Sequence, residues 1–227
     1  NGADVRFINE KEFYDKLPFG RTSTGRALWS PNTSVVNPIQ VLKKLEENLK
    51  EMDIKILKGE SSYSVDEFNK SIYLKNKKRI SFKYLFNCGG LNAVEIAKKF
   101  NLAANYILMP FKGIYWELKE TSPFSVNTNL YPVPDINVPF LGVHFTPSLG
   151  SKNTVTIGPT ATLALGAENY YGFKAIEPLN SIRNISILLS QFLNDQNGMR
   201  KYVMEQLPLS FEPYMLASAR KLIPSIK

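Results

Sequence analysis

The sequence predicts an α+β fold, and three observations support this class. Apolar residues recur at helical spacing near both ends of the chain, whereas they alternate with period two in the middle. The 227 residues, 44% hydrophobic and 21% charged, are typical of one large or two small globular domains. The change in pattern predicts a boundary that separates residues 1–105 from residues 106–227.

The first helix is predicted to begin at Asn37 and Pro38, because asparagine caps free helix amides and proline suits the first helical turn. Apolar residues then recur every three or four positions with charged residues between them, which is typical of an amphipathic helix packed against a core. These apolar residues are Val41, Leu42, Leu45, Leu49 and Met52.

Short strands are predicted after this helix. The first covers residues 54–57, and a hairpin is expected from about residue 63 to residue 74 and beyond. Residues 84–86 form an apolar run that predicts a buried strand, and this run leads directly into residues 87–90, Asn-Cys-Gly-Gly. A second helix is expected next, with Asn92 as its cap.

The middle of the chain is predicted to be strands, because apolar and polar residues alternate from about residue 107. Ile114, Trp116 and Leu118 share one face, and residues 141–146 alternate in the same way. A further strand is predicted over residues 154–157. After about residue 175 the spacing indicates helices again.

Cysteine and histidine are too scarce for several kinds of site. The single cysteine, Cys88, excludes an internal disulfide framework and a cysteine-cluster zinc site, and the single histidine, His144, excludes a multi-histidine site. We therefore expect no metal site. The single cysteine also indicates a reducing compartment, for which we expect the cytoplasm; the alternative is a protein in peripheral contact with a membrane. No apolar run is long enough to predict a membrane span. The chain begins with Asn1 rather than an initiator methionine, and its first residues do not have the pattern of a signal peptide. We therefore expect a segment cut from a longer gene.

The formal net charge of +8 could attract nucleic acid, an anionic membrane or an acidic substrate. The basic residues are dispersed, however, and the densest run, from Lys75 to Arg79, is predicted to be a solvated hairpin turn. We therefore expect no nucleic-acid partner.

Phosphate-binding loops are not evident in the sequence. Residues 20–27 have the spacing of a P-loop, but Arg26 replaces the lysine and Ala27 replaces the hydroxyl residue that binds magnesium. The G-x-G-x-x-G pattern of dinucleotide-binding folds is missing from these 227 residues.

Two features remain as candidates for chemistry. The paired glycines Gly89 and Gly90 follow an apolar run, so their backbone amides could approach a ligand; a simple turn between strand and helix is the alternative. Histidine is the side-chain type that exchanges protons near neutral pH, so His144 is the candidate general base; a structural role is the alternative.

Four segments carry a resemblance to a known family. They are residues 27–37, ALWSPNTSVVN; residues 86–91, FNCGGL; residues 110–116, PFKGIYW; and, as the longest, residues 130–146, LYPVPDINVPFLGVHFT, followed by IGP at 157–159. Together they resemble the L-2-hydroxyglutarate oxidase or dehydrogenase branch of the FAD-dependent oxidoreductases related to D-amino-acid oxidase and glycine oxidase. The likeness runs from about residue 25 to Lys227.

The resemblance implies a role for each region of the chain. Residues 1–105 would be a partial FAD-binding α/β region that lacks the glycine-rich first unit, and residues 106–227 a substrate domain with a mostly antiparallel sheet covered by helices. It implies that His144 is catalytic and that Tyr131 and Ser30 bind substrate. The residues that it implies for FAD are Ser61, Ser62, Asn87, Cys88, Gly89, Gly90, Leu91, Lys112 and Gly113.

The expected function is oxidation of a small 2-hydroxy acid, L-2-hydroxyglutarate, to 2-oxoglutarate, with FAD as cofactor and an electron acceptor of unknown identity. An amine or amino-acid oxidase on the same scaffold and a non-catalytic fragment are the alternatives. The family's glycine-rich opening and its closing stretch lie outside these residues. We therefore expect the chain alone to bind FAD poorly and to be inactive.

Overall fold

The computed structural model describes residues 2, 4–60, 63–119, 121–123, 126–134, 142–149 and 154–227. Helices and strands both occur in each half of this part of the chain. The strands are β1 (Arg6–Asn9), β2 (Arg26–Trp29), β3 (Tyr63–Asp66), β4 (Ser71–Leu74), β5 (Arg79–Ser81), β6 (Phe111–Lys112), β7 (Trp116–Glu117), β8 (His144–Pro147), β9 (Val155–Gly158) and β10 (Thr162–Leu163). The helices are α1 (Glu10–Lys16), α2 (Pro38–Glu51), α3 (Ala93–Lys98), α4 (Pro178–Leu193), α5 (Met199–Gln206) and α6 (Glu212–Ala219).

The strands form small sheets in the orders β1-β2, β10-β6, β3-β4-β5 and β7-β9-β8, and every pairing among the described strands is antiparallel. The mixture of helices with antiparallel sheets is compatible with the predicted α+β class. None of the helices within the described ranges is long and apolar enough to cross a membrane.

The chain divides into two compact units. Unit 1 contains Asn1–Asn37, Phe111–Leu163 and Ile182–Lys227, and unit 2 contains Pro38–Pro110 and Ala164–Ser181. Both units are therefore discontinuous in sequence. The functional division at residue 105, between a cofactor-binding and a substrate-binding region, stays a prediction.

The core of unit 1 forms around β8 and β9. Phe145 on β8 is paired with Ile157 on β9, and both side chains are buried, with Phe145 at 0% exposure. The C-terminal residues Ile223 and Ile226 and the side chain of Phe13 on α1 belong to the same apolar cluster. Both ends of the chain thus contribute to one core around these strands.

Unit 2 contains the predicted hairpin, which is confirmed as the meander β3-β4-β5. Its buried anchor is Ser71, whose hydroxyl accepts a hydrogen bond from Arg79 Nε at 2.9 Å and donates one to the Asn69 carbonyl at 2.9 Å. Because a buried hydroxyl costs free energy when it is unpaired, these bonds explain how a serine can occupy a fully buried position.

Three expectations for unit 2 are wrong. Helix α2 begins at Pro38 as predicted, but none of its residues is buried, so its apolar face does not pack against a core among the residues that the structure describes. Residues 54–57 and residues 84–86 are not strands, and Phe86 is 83% exposed. An apolar run becomes a buried strand only where another strand supplies hydrogen bonds, and no described strand pairs with either segment.

The first prediction concerns the core of unit 1. Phe145→Ala removes a fully buried aromatic side chain and should lower the free energy of unfolding by about 3–5 kcal/mol, because apolar contact is lost and a cavity remains. The matched control is Phe68→Ala at a position that is 95% exposed, where we expect a change within about 0.5 kcal/mol. Urea unfolding followed by circular dichroism measures both, and equal effects would contradict the assigned core.

The second prediction concerns Glu46 on α2. Its carboxylate lies between Lys50 Nζ at 2.8 Å and Lys58 Nζ at 2.7 Å, and hydrogen bonds from these ammonium groups, Lys50 foremost, lower the pKa of Glu46 to about 2. This stabilising contribution should be fully present above about pH 4.5 and should be lost as pH falls through about 2.

NMR titration of the Glu46 carboxyl carbon measures this pKa directly. Replacing both lysines by alanine should return it towards 4.5, and added salt should do so in part because the site is exposed. An unchanged pKa in the double variant would contradict the assignment; Lys44→Ala, which removes a lysine that pairs with Glu47, serves as the control.

Candidate functional site

The glycine turn in unit 2 is organised by the side chain of Asn87. Its Oδ1 accepts a hydrogen bond from the Gly89 amide at 3.2 Å, and its Nδ2 donates to the Ala93 carbonyl at 2.9 Å. The turn then continues through residues 90–92 as a 3₁₀ turn into α3. One asparagine therefore closes the loop at both ends, as asparagine commonly does in turns.

The two glycines of this turn have different reasons to be glycine. A Cβ on Gly89 would lie 2.3 Å from Cδ1 of Ile96, so a larger residue here would require the Ile96 side chain on α3 to move. Gly90 has φ of +53°, which favours glycine, and a Cβ there would meet no atom within 4 Å. The sequence suggested two amides open to a ligand, but the Gly89 amide already donates to Asn87.

A small pocket of about 140 Å³ adjoins this turn within unit 2. Most of its lining is apolar or aromatic, apart from the polar residues of the turn itself. The lining residues are Tyr63, Ile72, Leu85, Phe86, Asn87, Cys88, Gly89, Ile96 and Phe100. Pockets for drug-sized ligands have volumes of about 300–1,000 Å³, so this one could hold only part of a dinucleotide.

The pocket gathers three of the predicted cofactor residues, Asn87, Cys88 and Gly89, whereas Gly90 and Leu91 follow in the chain and are not part of the lining. Ser61 and Ser62 lie outside the described residues.

Sequence reasoning missed two residues beside this pocket, Tyr63 and Lys99. The ammonium group of Lys99 lies 3.7 Å from the centre of the Tyr63 ring and 3.0 Å from the backbone carbonyl oxygen of Tyr63. The position of Lys99 at the end of the helix after the glycine turn was the one available signal.

His144 and Tyr131 come together in unit 1. The backbones of Leu130 and Phe145 exchange two hydrogen bonds, of 3.0 and 2.9 Å, and this antiparallel bridge places Tyr131 opposite His144. The two ring centres lie 4.5 Å apart with an angle of 35° between the planes. His144 is 7% exposed, and its Nδ1 lies 2.9 Å from the carbonyl oxygen of Gly142.

The predicted cofactor residues Lys112 and Gly113 lie where β6 pairs with β10 in unit 1. A Cβ on Gly113 would lie 2.7 Å from Cβ of Pro159, so the close approach of these two segments requires glycine here. The next amide, that of Ile114, donates to the buried Thr160 hydroxyl at 3.2 Å.

Thr160 also belongs to a chain of hydroxyl groups that sequence reasoning missed. Its Oγ1 lies 3.0 Å from Thr162 Oγ1, which lies 3.2 Å from Ser210 Oγ. These bonds join residues separated by 48 positions, so no local pattern could have predicted them. They fix the backbone that follows Lys112 and Gly113.

Ser30, the second predicted substrate residue, belongs to a local turn. Its hydroxyl accepts a hydrogen bond from Thr33 Oγ1 at 2.8 Å, and its carbonyl accepts one from the Thr33 amide at 3.4 Å. Its role with substrate stays a prediction. Among the described residues there is no group of three or more His, Cys, Asp or Glu side chains that could hold a metal ion.

Comparison with known proteins adds the family to this geometry. Residues 1–226 match the family model described as FAD dependent oxidoreductase. The chain belongs to this family. FAD is the cofactor of the family, so the resemblance and the cofactor inferred from the sequence are confirmed.

Several relatives carry the name L-2-hydroxyglutarate dehydrogenase, mitochondrial. The chain is 35% identical to the Mus musculus protein over 220 residues, which cover 88% of this chain and 47% of the relative. It is 33% identical to the Caenorhabditis briggsae protein, covering 89% and 45%, and 29% identical to the Homo sapiens protein, covering 98% and 50%. The chain therefore spans about half the length of these relatives.

The third prediction tests the glycine turn. Gly90→Ala places a Cβ at φ of +53° and should lower the free energy of unfolding by about 1–2 kcal/mol, because L-residues with a Cβ are strained in this region. Gly90→Asn is the matched control and should cost less, since asparagine tolerates this conformation. Urea unfolding measures both, and alanine and asparagine variants as stable as the parent would contradict the assigned backbone.

Proposed function

We propose that this chain is part of an FAD-dependent oxidoreductase that oxidises a small 2-hydroxy acid, L-2-hydroxyglutarate, to 2-oxoglutarate. The observation that carries the proposal is the match to relatives of that name over most of this chain, at 29–35% identity. The pairing of His144 with Tyr131 supports it, because the chemistry requires a base and a group that binds the substrate.

Residues in both units fit a role with FAD. The apolar and aromatic lining of the pocket beside Asn87 suits part of a ring system, and the open space at Gly90 allows a ligand to approach the backbone. We assign residues 87–91, with Ser61 and Ser62, to this role, and Lys112 and Gly113 to a separate contact with the cofactor. When bound, FAD would supply the acceptor for the two electrons that leave the substrate carbon as a hydride.

The protein's own part in the reaction is to take up a proton and orient the substrate. Oxidation of a hydroxy acid removes a hydride from its carbon and a proton from its hydroxyl, and a carbon–oxygen double bond forms. We assign the proton to the imidazole of His144. Tyr131 has a phenol that can donate a hydrogen bond to a substrate carboxylate, and Ser30 is the second candidate donor.

Charge and compartment complete the proposal. The formal net charge of +8 would favour approach of a dianionic substrate. We keep the cytoplasm as the proposed compartment and leave the electron acceptor open. We also propose that the chain alone retains FAD weakly and is inactive; the pocket beside Asn87, of about 140 Å³, could hold only part of that molecule.

The fourth prediction uses the complete protein that contains this chain. His144→Ala should lower kcat for L-2-hydroxyglutarate by about a hundredfold or more, because a positioned base contributes that much, while the bound flavin remains stoichiometric. Lys174→Ala, at an exposed position of unit 2, is the control and should leave kcat unchanged. A His144→Ala enzyme within about threefold of the parent would exclude the assigned base.

Anaerobic titration of the same protein identifies the substrate class. Bleaching of the flavin absorption band by L-2-hydroxyglutarate supports the proposal, whereas bleaching by glycine or proline alone would assign an amine or amino-acid oxidase. A complete protein purified without flavin, and unable to take it up, would contradict the proposed enzyme.

A further inference from the structure

We infer that Gly142 is a positioning residue for His144: its carbonyl oxygen holds the ring as the Nδ1–H tautomer and directs proton uptake to Nε2. The inference starts from one distance, 2.9 Å between His144 Nδ1 and Gly142 O. A backbone carbonyl oxygen has lone pairs and no proton, so it can only accept a hydrogen bond. The nitrogen facing it must therefore carry the hydrogen.

The state of the second nitrogen follows from the chemistry of imidazole. A neutral ring has one N–H group and one nitrogen with a free lone pair, and the partner of one nitrogen decides the state of the other. With the hydrogen held on Nδ1, the lone pair lies on Nε2. A proton taken from a substrate hydroxyl would form a new N–H bond at Nε2, and the positive charge would be shared with Nδ1, still bonded to Gly142.

Glycine is needed at position 142 because another segment of the chain, which contains Pro132, lies against it. A Cβ on Gly142 would lie 2.7 Å from Cγ of Pro132, which is too close for a real contact. Pro132 directly follows Tyr131, whose ring contacts the imidazole. The same short segment therefore crowds the backbone that carries the acceptor and covers one face of the ring.

Two restraints thus act on His144 in different directions. The Gly142 carbonyl fixes the Nδ1 edge of the ring, and Tyr131 lies against its face at 4.5 Å. Burial to 7% exposure leaves little water to compete for Nδ1. A base held in this way loses little rotational freedom when it takes up a proton, since its orientation is already set.

The role of this tautomer in proton transfer rests on the proposed function, but the tautomer itself can be measured without any reaction. His144 is the only histidine, so a chain labelled with ¹⁵N-histidine gives a single pair of ring-nitrogen signals. In alkaline buffer, where a histidine ring is neutral, we expect Nδ1 to show the shift of a protonated nitrogen and Nε2 that of an unprotonated one. The Nε2–H form, or the tautomer mixture of a free histidine, would overturn the inference.

Variants test whether Gly142 is the cause. Gly142→Ala should displace the carbonyl and abolish the exclusive Nδ1–H form. Pro132→Ala alone removes the crowding atom and should keep that form, and the double variant Gly142→Ala with Pro132→Ala should restore it, because the contact at 2.7 Å is gone. If Gly142→Ala alone does not fold, the parent still decides which nitrogen carries the hydrogen, and a double variant without the Nδ1–H form would contradict the role of the 2.7 Å contact.

The outcomes separate this inference from the proposed function. An Nδ1–H form that persists in Gly142→Ala would exclude Gly142 as the positioning residue, whatever the enzyme oxidises. An Nδ1–H form that depends on Gly142 as described, together with a complete enzyme whose His144→Ala variant remains active, would leave the positioning intact and remove the catalytic role of the histidine.

Discussion

The arrangement around His144 depends on the backbone pairing of Leu130 with Phe145. This bridge joins the buried core of unit 1 to the segment that carries Tyr131. Successive strand residues point to opposite faces, so with Phe145 directed into the apolar cluster its neighbour His144 faces away from it, next to Tyr131. A shift of one residue in this register would exchange the two positions and place the imidazole in the core. Burial of Phe145 therefore helps to fix the register that places His144 beside Tyr131.

Two glycines that were candidates for ligand contact, Gly89 and Gly113, are closely approached by other residues of the chain, and so is Gly142. Gly89 makes room for Ile96, Gly113 for Pro159 and Gly142 for Pro132. Gly90 differs, because its positive φ and the open space around it give no internal neighbour as the reason for its size. Each glycine of a glycine-rich motif therefore has to be examined separately before the motif is interpreted as a ligand-binding loop. Among these four glycines, Gly90 is the one for which ligand contact stays the proposed reason.

Local patterns predicted the elements whose stabilising contacts are local. The start of α2 at Pro38, the meander from β3 to β5, strand β9 and helix α4 follow from capping residues and from periodicity over a few residues. The predicted strand at residues 84–86 failed because a buried strand depends on a partner that the run itself does not specify. For the same reason the hydroxyl chain through Thr160 and the contact of Lys99 with Tyr63 could not be predicted, since each joins residues at least 36 positions apart. For the candidate site, the sequence and the resemblance supplied candidate residues, whereas the partner of His144 Nδ1 required the structure.

Proton uptake and cofactor binding are the two parts of the proposed chemistry, and the described residues supply the first more fully than the second. Proton uptake needs one imidazole with a fixed orientation, and unit 1 supplies the ring, its hydrogen-bond acceptor and its aromatic neighbour from residues 130–145. Binding a dinucleotide needs a far larger concave surface than the pocket of about 140 Å³ in unit 2. The exposed apolar face of α2 and the unpaired residues 84–86 lie in that same unit. Exposed apolar patches mark sites of interaction with a ligand, a membrane or another protein, so within the described residues the proposed cofactor contact in unit 2 is less enclosed than the imidazole in unit 1.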